Sequence, residues 1–251
     1  MNNLEILKKR KSVRTYSDVP IEKELAEKLK AEVTLINTHV HGLNFQLVFN
    51  DPSPFKGFFK SYGSFKNASN YLAAIIDDNI EGMWEKAGYY AEKFVIEAVK
   101  NGLGTCFVGG TYDPKSVNLF LRFGEKILFL VLFGYPLEKE RFTEKLLVNF
   151  IHRKIMNPED FFEPSGEYES AIKRFPKLKE GLEAVACAPS SLNKRPTRLF
   201  IKEIDGRSEI CAKVDSSNNK AMIDLGIAKF NFNYATSTQC EWGNGEPVIS
   251  R

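Results

Sequence analysis

Three fixed charges and a hydroxyl fall within five residues at Arg10-Lys11-Ser12-Val13-Arg14. In an extended chain alternate side chains share a face, so Arg10, Ser12 and Arg14 can converge on one ligand. Guanidinium forks and a Ser hydroxyl suit phosphate oxygens, each charge-assisted hydrogen bond contributing about 1.5–3 kcal/mol when shielded from water. Taken alone, the same residues also read as a solvated basic turn.

Two further segments have the composition of ligand loops. Ala188-Pro189-Ser190-Ser191-Leu192-Asn193-Lys194-Arg195-Pro196 offers small, hydroxyl and amide groups that can approach a planar ligand and address a polar ring edge. In isolation it reads first as an ordinary Ser/Asn/Pro turn. Gly102-Leu103-Gly104-Thr105-Cys106-Phe107-Val108-Gly109-Gly110 matches neither a dinucleotide GxGxxG loop nor a P-loop, because no GK[ST] follows. Gly109-Gly110 would let a backbone N–H meet a ligand with no side chain intervening, or simply form a tight turn.

Other chemistry has little support. Cys106, Cys187, Cys211 and Cys240 are scattered without CxxC or zinc-like spacing, among apolar or small neighbours, and read as free buried thiols. His39-Val40-His41 would set two imidazoles on one side of a strand, but no Asp, Glu or Cys accompanies them at ligand spacing, so no metal is expected. The balance of 35 basic and 32 acidic residues is too even to infer a nucleic-acid surface. The longest apolar run, Ile127 to Phe133, is far short of the about 20 residues a membrane span needs. The N-terminus has no apolar stretch of signal-peptide length, so the expected location is cytoplasmic.

The elements that must position these segments follow from periodicity. Short helices are expected over Leu4 to Lys9 and, after Pro20, from Ile21 to Val33, with Leu25 and Leu29 on one face. Leu43, Phe45, Leu47 and Phe49 alternate with other residues as in a strand, and Tyr71 to Asp77 reads as another. Ala87, Tyr90, Ala91, Phe94, Val95, Ala98 and Val99 form one helical stripe, with Gly102 as its cap. A helix from Pro114 to Arg122 and a strand from Lys126 to Phe133 follow. Tyr135 to Glu167 looks like a connection. Beyond it come a helix from Pro176 to Ala186, a hairpin turning at Asp205-Gly206-Arg207, and a helix with Ile223, Ile227, Phe230 and Tyr234 on one face.

Together the three loop segments resemble the nitroreductase-like flavoproteins. In that family one helix ends in an Arg-Arg-Ser-x-Arg-type segment and another in Ala-Pro-Ser-x-x-Asn-x-Gln-Pro. A long helix runs into a Gly-Leu-Gly-type segment, and a late Arg-Lys-Pro-Leu-Glu-like segment follows. Arg10 to Arg14, Ala188 to Pro196 and Gly102 to Gly110 match the first three, and Arg153-Lys154 with Pro158-Glu159 matches the last loosely. In typical members the Pro-Ser loop lies soon after the Arg-rich segment. Here Thr34 to Val40 occupies that place without those residues, and the intact loop stands near residue 190.

The resemblance implies an α+β nitroreductase-like fold, with antiparallel-dominated mixed sheets packed against helices in two pseudo-symmetric halves. The family is known as homodimers holding FMN at their interface. The order of motifs resembles a subgroup in which residues 1–157 and 158–251 of one chain imitate that dimer, which implies a monomer. The first half would supply Arg10, Lys11, Ser12, Arg14, Gly109, Gly110, Arg153 and Lys154, and the second Pro189, Ser190, Ser191 and Asn193. The implied activity is an FMN-dependent oxidoreductase. NAD(P)H would deliver hydride to flavin N5, and an electron-poor acceptor such as a nitroaromatic or quinone would collect it. No side chain is implied as catalytic. Arg195 and Thr197 depart from the pattern, standing where the family has Gln and an aromatic residue. An FMN-binding storage or sensor module without turnover is the alternative.

Overall fold

The computed structural model describes residues 2–56, 65–137, 156–215 and 218–249. The chain divides into two compact units that are not contiguous in sequence. One comprises Arg10–Met83 and Phe94–His152, and the other Met1–Lys9, Trp84–Lys93 and Arg153–Arg251, over their described residues.

The unit containing Arg10–Met83 is built on an antiparallel sheet of β1 (Gln46–Val48), β2 (Tyr71–Asp77), β3 (Gly104–Val108) and β4 (Glu125–Gly134), in the order β1-β2-β4-β3. Six consecutive residues of β2, Tyr71 to Ile76, are fully buried. That is why β2 reads as an unbroken apolar run: both faces are covered, so alternation has no solvent side to follow. Tyr71, Ala73 and Ile75 share one core with Tyr16, Phe55, Cys106, Leu130 and Leu132.

Helix α2 (Lys23–His39) follows α1 (Asn3–Lys9) and runs six residues past the expected end at Val33. Leu29, Val33 and Ile36 continue one buried stripe. Thr34 and Thr38 bond back to the carbonyls of Lys30 and Thr34 at 2.9 and 2.8 Å. Asn37 exchanges two 2.8 Å hydrogen bonds with the backbone of Phe45. The stretch from Thr34 therefore continues a helix and docks its end beside β1. His39 lies in the last turn of that helix rather than on a strand.

The expected helix from Pro114 to Arg122 is a 3₁₀ turn over Pro114–Ser116. Asp113 caps it, and extended backbone follows at Val117. Val117 and Leu119 pack on the core while Phe120 is 73% exposed. Apolar residues spaced by two serve an extended chain better than a helix there.

Helix α3 (Met83–Lys100) contributes to both units, Trp84–Lys93 to one and Phe94–Lys100 to the other. Its stripe residues Ala87, Ala91, Phe94, Val95 and Ala98 are buried, and so are Glu85 and Glu92, which lie off that stripe.

The second unit holds β5 (Phe162–Glu163), β6 (Arg198–Ile204), β7 (Arg207–Lys213) and β8 (Glu246–Pro247) in that order. β5–β6 is its parallel pair. β6 and β7 turn at Asp205 and Gly206, both with positive φ (51° and 73°), which suits the twist of a two-residue hairpin. Helices α4 (Tyr168–Arg174), α5 (Leu178–Ala186) and α6 (Asn219–Thr236) complete it. β5 falls in the stretch from Tyr135 to Glu167 that reads from sequence as connection, and α4 begins just past it.

α6 is buried on every side, so it lacks a single apolar face, and it carries Lys229 into the interior. Lys229 Nζ meets Glu85 Oε1 at 2.6 Å and donates to the carbonyls of Glu241 and Gly243. Glu85 Oε2 accepts from the Gly243 N–H, so the pair is hydrogen-bonded on both sides, as buried charges must be.

The four cysteines are free. Cys106 and Cys211 are buried, Cys187 and Cys240 half-buried, and burial pushes the Cys240 thiol up to about 11. No helix among the described residues is long and apolar enough to cross a membrane, and no group of three His, Cys, Asp or Glu among them could hold a metal ion.

Candidate functional site

The cationic segment is held by its backbone. Ser12 bridges Thr105 in parallel register, and the Val13 N–H donates to the Thr105 carbonyl at 2.8 Å. On the far side Lys66 N–H donates to the Arg14 carbonyl at 2.9 Å, and Tyr16 N–H to the Lys66 carbonyl at 3.1 Å. The Tyr16 hydroxyl donates to the Val13 carbonyl at 2.6 Å. Val13 lies against β3 where Gly104 has no side chain: a Cβ there would come 2.6 Å from Val13 Cγ2. With Val13 turned to the core, the alternating pattern leaves Ser12 exposed and Arg10 and Arg14 half-buried. Lys11 is exposed.

Gly109 and Gly110 follow directly on β3, both exposed. Neither has a positive φ, and a Cβ on either would meet nothing within 4 Å. Neither backbone strain nor packing among the described residues requires glycine at these positions. Thus Arg10 to Arg14 and Gly109-Gly110 belong to one unit and attach to one strand. Arg153 and Lys154 lie outside the described residues.

Pro189, Ser190, Ser191 and Asn193 belong to the other unit, in the loop that leaves α5. Side chains hold this loop. The Ser190 Oγ accepts from the Arg195 N–H at 2.8 Å, and Asn193 Oδ1 accepts from Arg195 Nε at 3.3 Å. Asn193 N–H closes a turn on the Ser190 carbonyl at 3.0 Å. Leu192, Asn193 and Arg195 all have φ near the left-handed region, at 51°, 56° and 49°. Leu192 is 73% exposed, so burial does not offset its strain. Arg198 donates to the carbonyls of Arg195 and Thr197, both at 2.9 Å.

Beneath the loop lies a residue that periodicity treats as incidental. Asp224 of α6 is 7% exposed, and the Ser191 N–H donates to its Oδ1 and Oδ2 at 3.1 and 3.3 Å. Burial pushes its carboxyl up to about 6, against the pull of the Ser191 N–H and the Lys194 charge. A cavity of about 10 Å³, room for about one water, is lined by Ser190, Arg195, Thr197 and Asp224. The signal in the sequence was an acid between Ile223 and Leu225 on an apolar helix, but only contact with the loop gives it a role.

Residues 2–236 match the model of the Putative TM nitroreductase family, and the chain belongs to that family. Membership sets the class of chemistry as oxidoreduction. A putative nitroreductase from Thermotoga maritima MSB8 is similar over 94% of this chain and 83% of its own, with 19% identity and a TM-score of 0.58. That likeness is one of fold. An FMN-dependent nitroreductase from Clostridium difficile R20291 shares 24% identity over 54% of this chain and 88% of its own, with a TM-score of 0.42. A putative NADH oxidase from Clostridium acetobutylicum shares 25% identity over 54% of this chain and 89% of its own, also with a TM-score of 0.42. Among curated proteins there is no match. The expected nitroreductase-like α+β fold, with sheets dominated by antiparallel pairs, is thereby established.

Proposed function

We propose that the protein is an FMN-dependent NAD(P)H oxidoreductase that reduces electron-poor acceptors such as nitroaromatics or quinones, in the cytoplasm. The observation that carries this reading is the attachment of a cationic segment and an open Gly-Gly turn to the same strand, β3. The donor set of Arg10, Lys11, Ser12 and Arg14 suits a phosphate monoester, and the backbone clamp on β3 fixes the segment that carries it. Gly109-Gly110 leaves the space that a planar ring edge needs to reach a backbone N–H.

In this reading Arg10, Ser12 and the Arg153-Lys154 pair bind the phosphate, and Arg14 lies toward the pyrimidine edge of the ring. A backbone N–H of Gly109 or Gly110 addresses flavin N5. Pro189, Ser190, Ser191 and Asn193 supply small and polar groups to the ring edge, the share a partner subunit gives in the homodimers. The halves 1–157 and 158–251 would then stand for the two subunits, and a monomer would suffice. When bound, FMN supplies hydride acceptance and electron delivery, so no side-chain nucleophile is required.

The experiment is the absorption spectrum of the purified protein, followed by anaerobic mixing with NADH or NADPH. A flavin spectrum that bleaches is the expected result. A flavin that binds and does not bleach leaves a binding module without turnover. Colourless protein that takes up no added FMN overturns the proposal.

A further inference from the structure

Ser191 stands in the loop read above as part of the flavin site, and its N–H is held by a buried carboxylate on another element. Placing an acid there carries an electrostatic cost, because desolvation disfavours the ionised form and no cation among the described residues forms an ion pair with it. One backbone N–H donates to both of its oxygens, and it belongs to a segment where three side-chain-bearing residues sit in the left-handed region. Such a segment persists only where its surroundings hold it. Around Asp224, Lys194 on the loop favours the ionised form and Arg195 lines the same cavity. Phe161, Val185, Ala188 and Thr197 on the neighbouring elements bring no charge.

We propose that Asp224 is the positioning residue of the Pro189–Asn193 loop, and that its proton works as a latch: the ionised carboxylate holds Ser191 for the ligand and the protonated one loosens it, Asp224 staying buried on α6 in both states so that only the hydrogen bond changes. A hydrogen bond to an ionised acceptor is about twice as strong as one to a neutral acceptor, so protonation weakens the hold without removing it. Burial sets the change near pH 6, where modest acidification acts on it. The ligand half of the proposal rests on the FMN reading; the loop half does not.

The test takes the full chain without ligand and measures amide hydrogen exchange at Ser191 at about pH 5 and about pH 7.5, on either side of the titration, each rate divided by the intrinsic rate. Wild-type protection should fall about fivefold at the lower pH, while Asp224→Asn, which keeps an acceptor oxygen but cannot ionise, should change less than about 1.5-fold. Equal changes in both proteins overturn the latch.

The second measurement is FMN affinity by quenching of flavin fluorescence in the same two proteins. The FMN phosphate titrates near pH 6 itself, but equally for both, so the ratio of their affinities isolates Asp224. Wild type should bind about fivefold more tightly than Asp224→Asn at about pH 7.5, and the ratio should approach about one at about pH 5. A ratio independent of pH sinks the latch. FMN that binds neither protein, with Ser191 exchange responding as expected, sinks the flavin reading and leaves the latch standing.

Discussion

The two candidate segments are held in place by opposite means. Arg10 to Arg14 is fastened through backbone pairing to β3 and to Lys66. The Pro189–Asn193 loop is fastened through side chains, the Ser190 hydroxyl, the Asn193 amide and Asp224 beneath it. Substitution should therefore separate binding from folding in the first segment, whereas in the second the two are entangled. A segment clamped by its backbone can hold a fixed charge pattern against a ligand, while a loop clamped by side chains can respond to conditions.

The largest effect should come from the cationic segment. Arg10→Ala with Arg14→Ala removes two charge-assisted partners of a phosphate, about 3–6 kcal/mol together, so FMN retention should fall more than about 100-fold. The far-UV circular dichroism should stay unchanged, because the backbone clamp remains. Retention equal to wild type would break the comparison at its first term.

Gly104→Ala tests the clamp. The new methyl would lie 2.6 Å from Val13 Cγ2 and should cost about 1–3 kcal/mol in urea denaturation. Val13→Gly in the same chain should recover part of that loss. No recovery would show that Val13 is not what Gly104 makes room for.

Asp224→Asn probes the other region through stability against pH. Folding raises this carboxyl above its ordinary range, so the folded chain keeps the proton to higher pH than the unfolded chain. Its contribution to stability is then fully present below the unfolded range, near pH 4, and is lost as pH rises through about 6. Relative to wild type, Asp224→Asn should be more stable at about pH 7.5, on the order of 1–3 kcal/mol, with the gap closing toward about pH 4. A gap constant with pH would show that Asp224 does not titrate in this range.

The smallest effect is expected at Leu192→Gly. It removes left-handed strain from an exposed side chain but adds unfolded-state entropy, so thermal unfolding should show a net gain of about 0.5 kcal/mol. A net loss would mean that the exposed Leu192 side chain contributes to holding the loop.

Much of this fold was legible from local pattern. The unbroken apolar β2, the stripe of α3 and the Asp205-Gly206 hairpin each depend on residues close in sequence, so periodicity and turn chemistry identify them. Errors came where distant contacts overrode the pattern. Asn37 locks the end of α2 onto Phe45, carrying the helix past Val33. Val117 and Leu119 are drawn extended onto a core whose strands lie elsewhere in the chain.

The sequence by itself determined which groups of this protein are candidates for binding: three cations and a hydroxyl in five residues, a Gly-Gly pair, and a Pro-Ser-x-x-Asn loop. Those follow from residue chemistry and need no partner to be recognised. Only the tertiary structure decided how they are held, because Gly104 under Val13 and Asp224 under Ser191 acquire their meaning from residues 91 and 33 positions away, and nothing local to either glycine or aspartate encodes that neighbour.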